Sequence, residues 1–94
     1  MKTMTFLFHT DPGHGWLEVP FQMLQFLNIE DVITAYSYMQ GQTCYLEEDQ
    51  DVMTFVKAVQ NHDGPMLEFE DRHTNEDSFV RKLVPYNPLR FSTH

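Results

Sequence analysis

Apolar and polar positions alternate over residues 4–8, with Met4, Phe6 and Phe8 on one side and Thr5 and Leu7 on the other, the period of a strand with one buried face. Asp11-Pro12-Gly13-His14-Gly15 then reverses the chain, because proline presets φ and the glycines are free to take positive φ. Residues 16–19 return as a second strand. Pro20 suits the first position of a short helix whose Phe21, Met23, Leu24, Phe26 and Leu27 demand cover, and Asn28 terminates it. Residues 32–39 read as a strand, 40–42 as a tighter turn and 43–47 as the hairpin partner. Asp49 is placed to cap the next helix and Asp51 to meet its positive end, while Val52, Phe55, Val56 and Val59 fall at i, i+3, i+4 and i+7. His62-Asp63-Gly64-Pro65 ends that helix, with Gly64 offered for a left-handed cap. Residues 66–70 alternate again as a fifth strand, Leu67 and Phe69 inward.

The same plan is read twice, over 5–27 and over 34–59. Thr5/Thr34, Leu17/Leu46, Glu18/Glu47 and Phe26/Phe55 are identical between the two stretches, and Trp16/Tyr45, Met23/Val52, Leu24/Met53 and Leu27/Val56 keep their chemical type. The expected fold is therefore α+β: a single antiparallel sheet from two tandem β-β-α units plus the fifth strand at 66–70, with both helices on one face. A C-terminal tail, 71–94, packs on the domain or on a partner.

Alternation sorts the strand residues into two faces. The inner one collects Phe6, Phe8, Leu17, Val19, Ile33, Ala35, Cys44, Leu46, Leu67 and Phe69, and the outer one Leu7, His9, Trp16, Glu18, Tyr36, Tyr38, Tyr45 and Glu47. An open face with so many aromatic rings would be about the largest apolar patch a soluble monomer exposes, so it calls for a cover. Three candidates present themselves: the tail itself, which carries Phe79, Val80, Leu83, Val84, Tyr86, Leu89 and Phe91; a second copy, giving a homodimer through the outer face; or an external protein anchored on Tyr and Trp.

Length and charge narrow the function classes. Ninety-four residues bound one domain, 1–94, with one modest core. The lone Cys44 allows no internal disulfide, which fits a reducing cytoplasm. The opening MKTMTFLFHTD reads as neither a secretory signal nor a membrane span, and no membrane partner is expected. The net charge is −8, and twelve of the fourteen acids lie between Glu30 and Asp77, opposed there only by Lys57 and Arg72. Such a field repels nucleic acid and anionic membranes and favours a basic protein partner, so no direct nucleic-acid binding is expected.

The first turn and its flanks hold the densest chemistry: His9, Asp11 and His14, with Trp16 and Glu18 just beyond. Two imidazoles and a carboxylate suit a zinc-like ion, and His9 with Glu18 suits an acid–base pair across adjacent strands. Against this, Asp-Pro-Gly is turn chemistry, and His-x-Asp-x-x-His matches no specific metal spacing. Glu47-Glu48-Asp49-Gln50-Asp51 lacks the glycine and terminal glutamate of a calcium hand and is better read as a helix start. Cys44 alternates inward as a small core residue, and His62, His73 and His94 are scattered. With no phosphate-binding loop, nucleophile elbow or paired-cysteine motif, no catalytic residue, metal ligand or cofactor is assigned. The candidate binding surface is His9, Asp11, His14, Trp16, Glu18, Tyr36, Tyr38, Tyr45, Glu47, Glu48, Asp49 and Asp51.

Through HTDPGHGWLEVP at 9–20 and AYSYMQGQTCYLEED at 35–49, the chain resembles a family of small proteins found in bacteriophages, prophages and plasmids. The resemblance covers roughly residues 5–59, with Asn28 where members often carry Gly, and it leaves out the tail after Asp71. The family has no established activity, so what the resemblance implies is a setting: a phage-encoded protein acting in the cytoplasm of a bacterium. Joined to the charge, it makes the expected function that of an accessory protein binding a host or phage protein through an acidic and aromatic surface. Such a protein would modulate a host enzyme or defence system, and in its most specific form its carboxylates imitate DNA phosphates. Two alternatives stand beside it, a small enzyme or metal-binding protein using the His9/Asp11/His14 turn, and a homo-oligomeric structural protein.

Overall fold

The computed structural model describes residues 2–91, and His94 lies outside them. The elements follow as β1 (Thr3–Thr10), β2 (Gly15–Pro20), α1 (Phe21–Phe26), β3 (Tyr38–Gln40), β4 (Thr43–Glu47), α2 (Asp51–Asn61), β5 (Met66–His73) and β6 (Val84–Pro85). Short 3₁₀ turns at Phe79–Lys82 and Pro88–Phe91 flank β6. One six-stranded sheet runs in the order β5-β1-β2-β4-β3-β6.

Leu17 of β2 and Leu46 of β4 sit opposite each other at the middle of this sheet, both fully buried. Burial of a leucine side chain contributes roughly 1.5–3 kcal/mol, so this pair anchors the core. Around them gather Val19 and Cys44 from the same strands, Phe21 and Leu24 from α1, and Val52, Phe55 and Val59 from α2. Trp16 and Tyr45, one residue along from the two leucines, point to the other side and form a separate cluster with Val80. The expected division into a helix-covered face and an aromatic face is the one seen.

The sheet is mixed, not antiparallel throughout. β5 pairs with β1 in parallel over eight positions, from Thr3↔Met66 to Thr10↔His73. The cause is α2: β4 runs in the direction of β1, the helix carries the chain back, and the next strand must start from the same end as β4 and β1. β5 lands at the sheet edge beyond β1 and extends to His73 instead of stopping at residue 70. Phe69, expected inward, is left 41% exposed at that edge.

The third strand is the other departure. Only Tyr38–Gln40 pairs as a strand, and residues 30–37 form turns. The buried carboxylate of Asp51 imposes this, since its Oδ2 accepts hydrogen bonds from the Thr34 amide at 3.0 Å, the Thr34 hydroxyl at 2.7 Å and the Ser37 hydroxyl at 2.5 Å. Ile33 still reaches the core, but Ala35, expected inside, is exposed.

The helix ends also differ in detail. Gln50, not Asp49, occupies the N-cap of α2, and the Glu47 carboxylate serves its open amides, accepting from Asp49, Gln50 and Asp51 at 2.8, 2.6 and 2.9 Å. At the other end Asp63 takes the left-handed conformation (φ 52°) in place of Gly64. Gly64 is needed for closeness instead, because a Cβ there would meet Val59 Cγ1 at 2.7 Å. Among the described residues no helix is long and apolar enough to cross a membrane.

The chain's own C-terminal segment covers part of the aromatic face. It crosses that face at Ser78–Leu83, where Val80 has no exposure, then adds β6 to β3 through Met39↔Val84 and Tyr38↔Pro85. Tyr86 then enters the helix-side core and donates its hydroxyl to the Glu30 carbonyl at 2.5 Å.

Candidate functional site

The turn after β1 is built around Asp11, which is buried. Its Oδ1 accepts the amides of Gly13 and His14 at 3.0 and 2.9 Å, closing the Asp-Pro-Gly turn on itself. Its Oδ2 accepts the Ser78 amide at 2.9 Å, and Arg81 grips both oxygens, Nε to Oδ2 at 2.6 Å and Nη2 to Oδ1 at 2.9 Å. The Arg81 guanidinium, and after it the Ser78 amide, hold the Asp11 carboxyl well below the usual carboxylate range. The same contact raises the Arg81 pKa, and its guanidinium carbon lies 5.2 Å from the centre of the Trp16 ring.

Next to this anchor the rings interlock edge to face. Trp16 meets Tyr38 at 6.2 Å, and Phe79 covers both Tyr45 at 5.6 Å and His9 at 5.1 Å. His9 Nε2 lies 2.7 Å from Glu18 Oε1 beneath that cover. Burial, and after it the nearby Glu18 charge, push the Tyr45 phenol upward.

Where the tail stops, the face opens into a cleft of about 360 Å³ lined by His14, Trp16, Tyr36, Tyr38, Glu47, Asp49, Gln50 and Arg81. Trp16 is only 3% exposed, whereas Tyr36 on the turn before β3 is 78% exposed. Asp49 lines this cleft from the start of α2, and Glu47 contributes a carboxylate already engaged with three amides.

Of the residues singled out in the sequence, the fold therefore brings His14, Trp16, Tyr36, Tyr38, Glu47 and Asp49 to one cleft. His9 and Tyr45 lie on the same sheet face but under Phe79, and Glu18, paired with His9, lies beside them and is partly exposed. Glu48 lies outside the lining and approaches His14 Nδ1 at 3.6 Å. Asp11 and Asp51 are not surface charges: both are buried and hold loops together. The three residues of the proposed metal turn part company, His9 turning to Glu18, Asp11 to Arg81 and backbone amides, and His14 toward Glu48. Among the described residues no group of three or more His, Cys, Asp or Glu is placed to hold a metal ion.

Arg81 and Gln50 complete the lining without having stood out in the sequence. The sequence signal for Arg81 is a basic residue in the apolar tail of an acidic chain, which names no partner. Comparison of the chain with protein-family models, with curated proteins and with solved structures finds no match.

Proposed function

We propose that the protein acts by binding, and that the cleft beside Trp16 receives a cationic side chain of a basic protein partner. One observation carries the reading: aromatic rings and carboxylates line the same cleft, and the one Lys or Arg among its described lining residues, Arg81, is already held by Asp11 on one side and by the Trp16 ring on the other. An incoming guanidinium or ammonium finds the exposed ring of Tyr36 and the half-buried ring of Tyr38 beside Asp49, the combination that favours a cation over a neutral or anionic group. The net charge of −8 adds long-range attraction for such a partner.

The setting we infer is that of a phage-encoded accessory protein in a bacterial cytoplasm, modulating a host enzyme or defence system. In this reading the likeness between residues 5–27 and 34–59 reflects an ancestral duplication that left Trp16 and Tyr45 as counterparts on one face. A DNA-mimic role draws on fewer charges than the sequence offers, because Asp11 and Asp51 are buried and Glu47 is tied to the start of α2.

The protein carries its own reporter, since the single tryptophan lines the cleft. Titration with a short arginine-rich peptide is expected to change Trp16 emission saturably, with the affinity falling about tenfold in Tyr36→Ala and in Asp49→Lys, the loss of one stacking or charged contact. Emission that stays constant across the titration, or a response that both variants keep unchanged, removes the cleft from consideration.

A further inference from the structure

We propose a second docking surface at the β5 edge of the sheet, which adds a strand from a partner whose residues alternate between basic and apolar. It lies beyond β1, away from the Trp16 cleft, and rests on separate observations.

The first is an open row of backbone groups. The amides of Met66 and Thr74 donate to the carbonyls of Lys2 and Thr10, so the even-numbered residues of β5 turn their backbone groups to β1. By the two-residue repeat, the amides and carbonyls of Leu67, Phe69, Asp71 and His73 face outward, where the sheet ends. The opposite edge is blocked by contrast, as β6 is two residues long and carries Pro85.

The second is a groove of about 490 Å³ alongside that edge, between α2 and β5, whose walls include Val56, Val59, Met66, Leu67 and Phe69. Side chains of an added strand that point to the helix side would fill it.

The third is charge. Glu68 and Glu70 stand on the other face of β5, and Glu68 makes only a 3.5 Å contact with the Thr5 hydroxyl, while Glu70 pairs with Arg72. These acids select the occupant. In an antiparallel pairing of β5 with a second copy, two registers each match seven residues: one sets Glu68 against Glu70 twice, and the other sets Glu70 against the same residue of the copy while bringing Glu68 opposite Arg72, so neither satisfies all of the acids. A strand with lysine or arginine opposite Glu68 and Glu70, and apolar residues toward the groove, satisfies backbone, groove and charge together.

The probe is a short synthetic peptide alternating lysine and valine, taken to add antiparallel to β5, with a control peptide N-methylated at its valines, the residues whose amides face β5 in that direction. Hydrogen exchange at Leu67, Phe69, Asp71 and His73 is expected to slow at least about tenfold with the first peptide and not with the second. Asp71→Pro removes an outward amide without breaking the ladder to β1, so it is expected to weaken binding about tenfold more than Asp71→Ala, while leaving the response of Trp16 to an arginine-rich peptide intact. Equal binding of both peptides, or no slowing at those amides, overturns the proposal. So does slowing that grows with protein concentration in the absence of peptide, which would give the edge to a second copy.

Discussion

Asp11 and Arg81 meet in a two-pronged ion pair, at 2.6 and 2.9 Å, although 70 positions separate them in the chain. The carboxylate shapes the first turn through its contacts to the Gly13 and His14 amides, and the guanidinium lies over Trp16. The fit is close enough that a Cβ at Gly13 would come within 2.8 Å of Arg81 Nη2. One contact thus fixes the turn, the tail and a wall of the cleft together.

Arg81→Ala should therefore loosen the tail over the aromatic face. Trp16 is the only tryptophan and is almost fully buried, so its emission should move to longer wavelength, and proteolysis near residues 74–79 should accelerate. The neighbouring Lys82 is exposed, and Lys82→Ala should leave both readouts at the wild-type value. An unshifted spectrum in Arg81→Ala would show that Val80 and Phe79 hold the tail without the ion pair.

The same pair sets an acid dependence. Because Arg81 holds the Asp11 carboxyl below its usual range, the unfolded chain takes up a proton near pH 4 while the folded chain does not. The contribution to stability is whole above that pH and is lost as pH falls from it through the lower folded-state value. Denaturant unfolding between neutrality and about pH 3 should show the wild type losing stability more steeply than Asp11→Asn, the two curves converging in acid. Curves that stay parallel would mean the carboxylate is not held in its ionised form by the fold.

What the sequence made legible was local. Alternation put Leu17 and Leu46 toward the helices and Trp16 and Tyr45 away from them, and both helices stand where apolar spacing placed them. Wherever a long-range polar contact decided the backbone, alternation misled. Ile33 and Ala35 read as part of a strand, but Thr34 and Ser37 are drawn to Asp51, and a turn replaces the strand. The direction of β5 depended on where α2 delivers the chain, which residues 66–70 do not encode. Asp11 drew attention as a turn residue or ligand, whereas its strongest partner comes from the tail, and no spacing within the turn names it. The cleft follows the same rule: alternation places its aromatic walls, but Tyr36 reaches it from a turn where alternation predicts a strand.

Asp51 offers a direct test of that turn. It is fully buried, its Oδ2 takes three donors, and among the described residues its Oδ1 has no hydrogen-bond partner. Asp51→Ala strands the Thr34 and Ser37 donors and should cost on the order of 3 kcal/mol in denaturant unfolding. Asp51→Asn keeps one acceptor oxygen and should cost less. Since the Ser37 carbonyl also takes the Tyr86 amide at 2.8 Å, exchange at Tyr86 should rise in Asp51→Ala before global unfolding. Unchanged exchange there would separate the tail from the Asp51 knot.

Cys44 tests the core from within. It lies on β4 beside Leu46 with no exposure, and burial pushes its thiol up to about 12, so at neutral pH it is neither ionised nor reachable. Its modification by a thiol reagent should be limited by opening of the β2–β4 centre and should rise with denaturant in step with global unfolding. Leu17→Ala, which leaves a cavity opposite Leu46 and should cost about 3–5 kcal/mol, should accelerate that modification by roughly a hundredfold or more. Phe26→Ala removes an exposed side chain of α1 and should leave the rate close to that of the wild type. Fast labelling of Cys44 in the native protein, insensitive to Leu17→Ala, would mean that the two central strands part locally and that the core is not organised around their pairing.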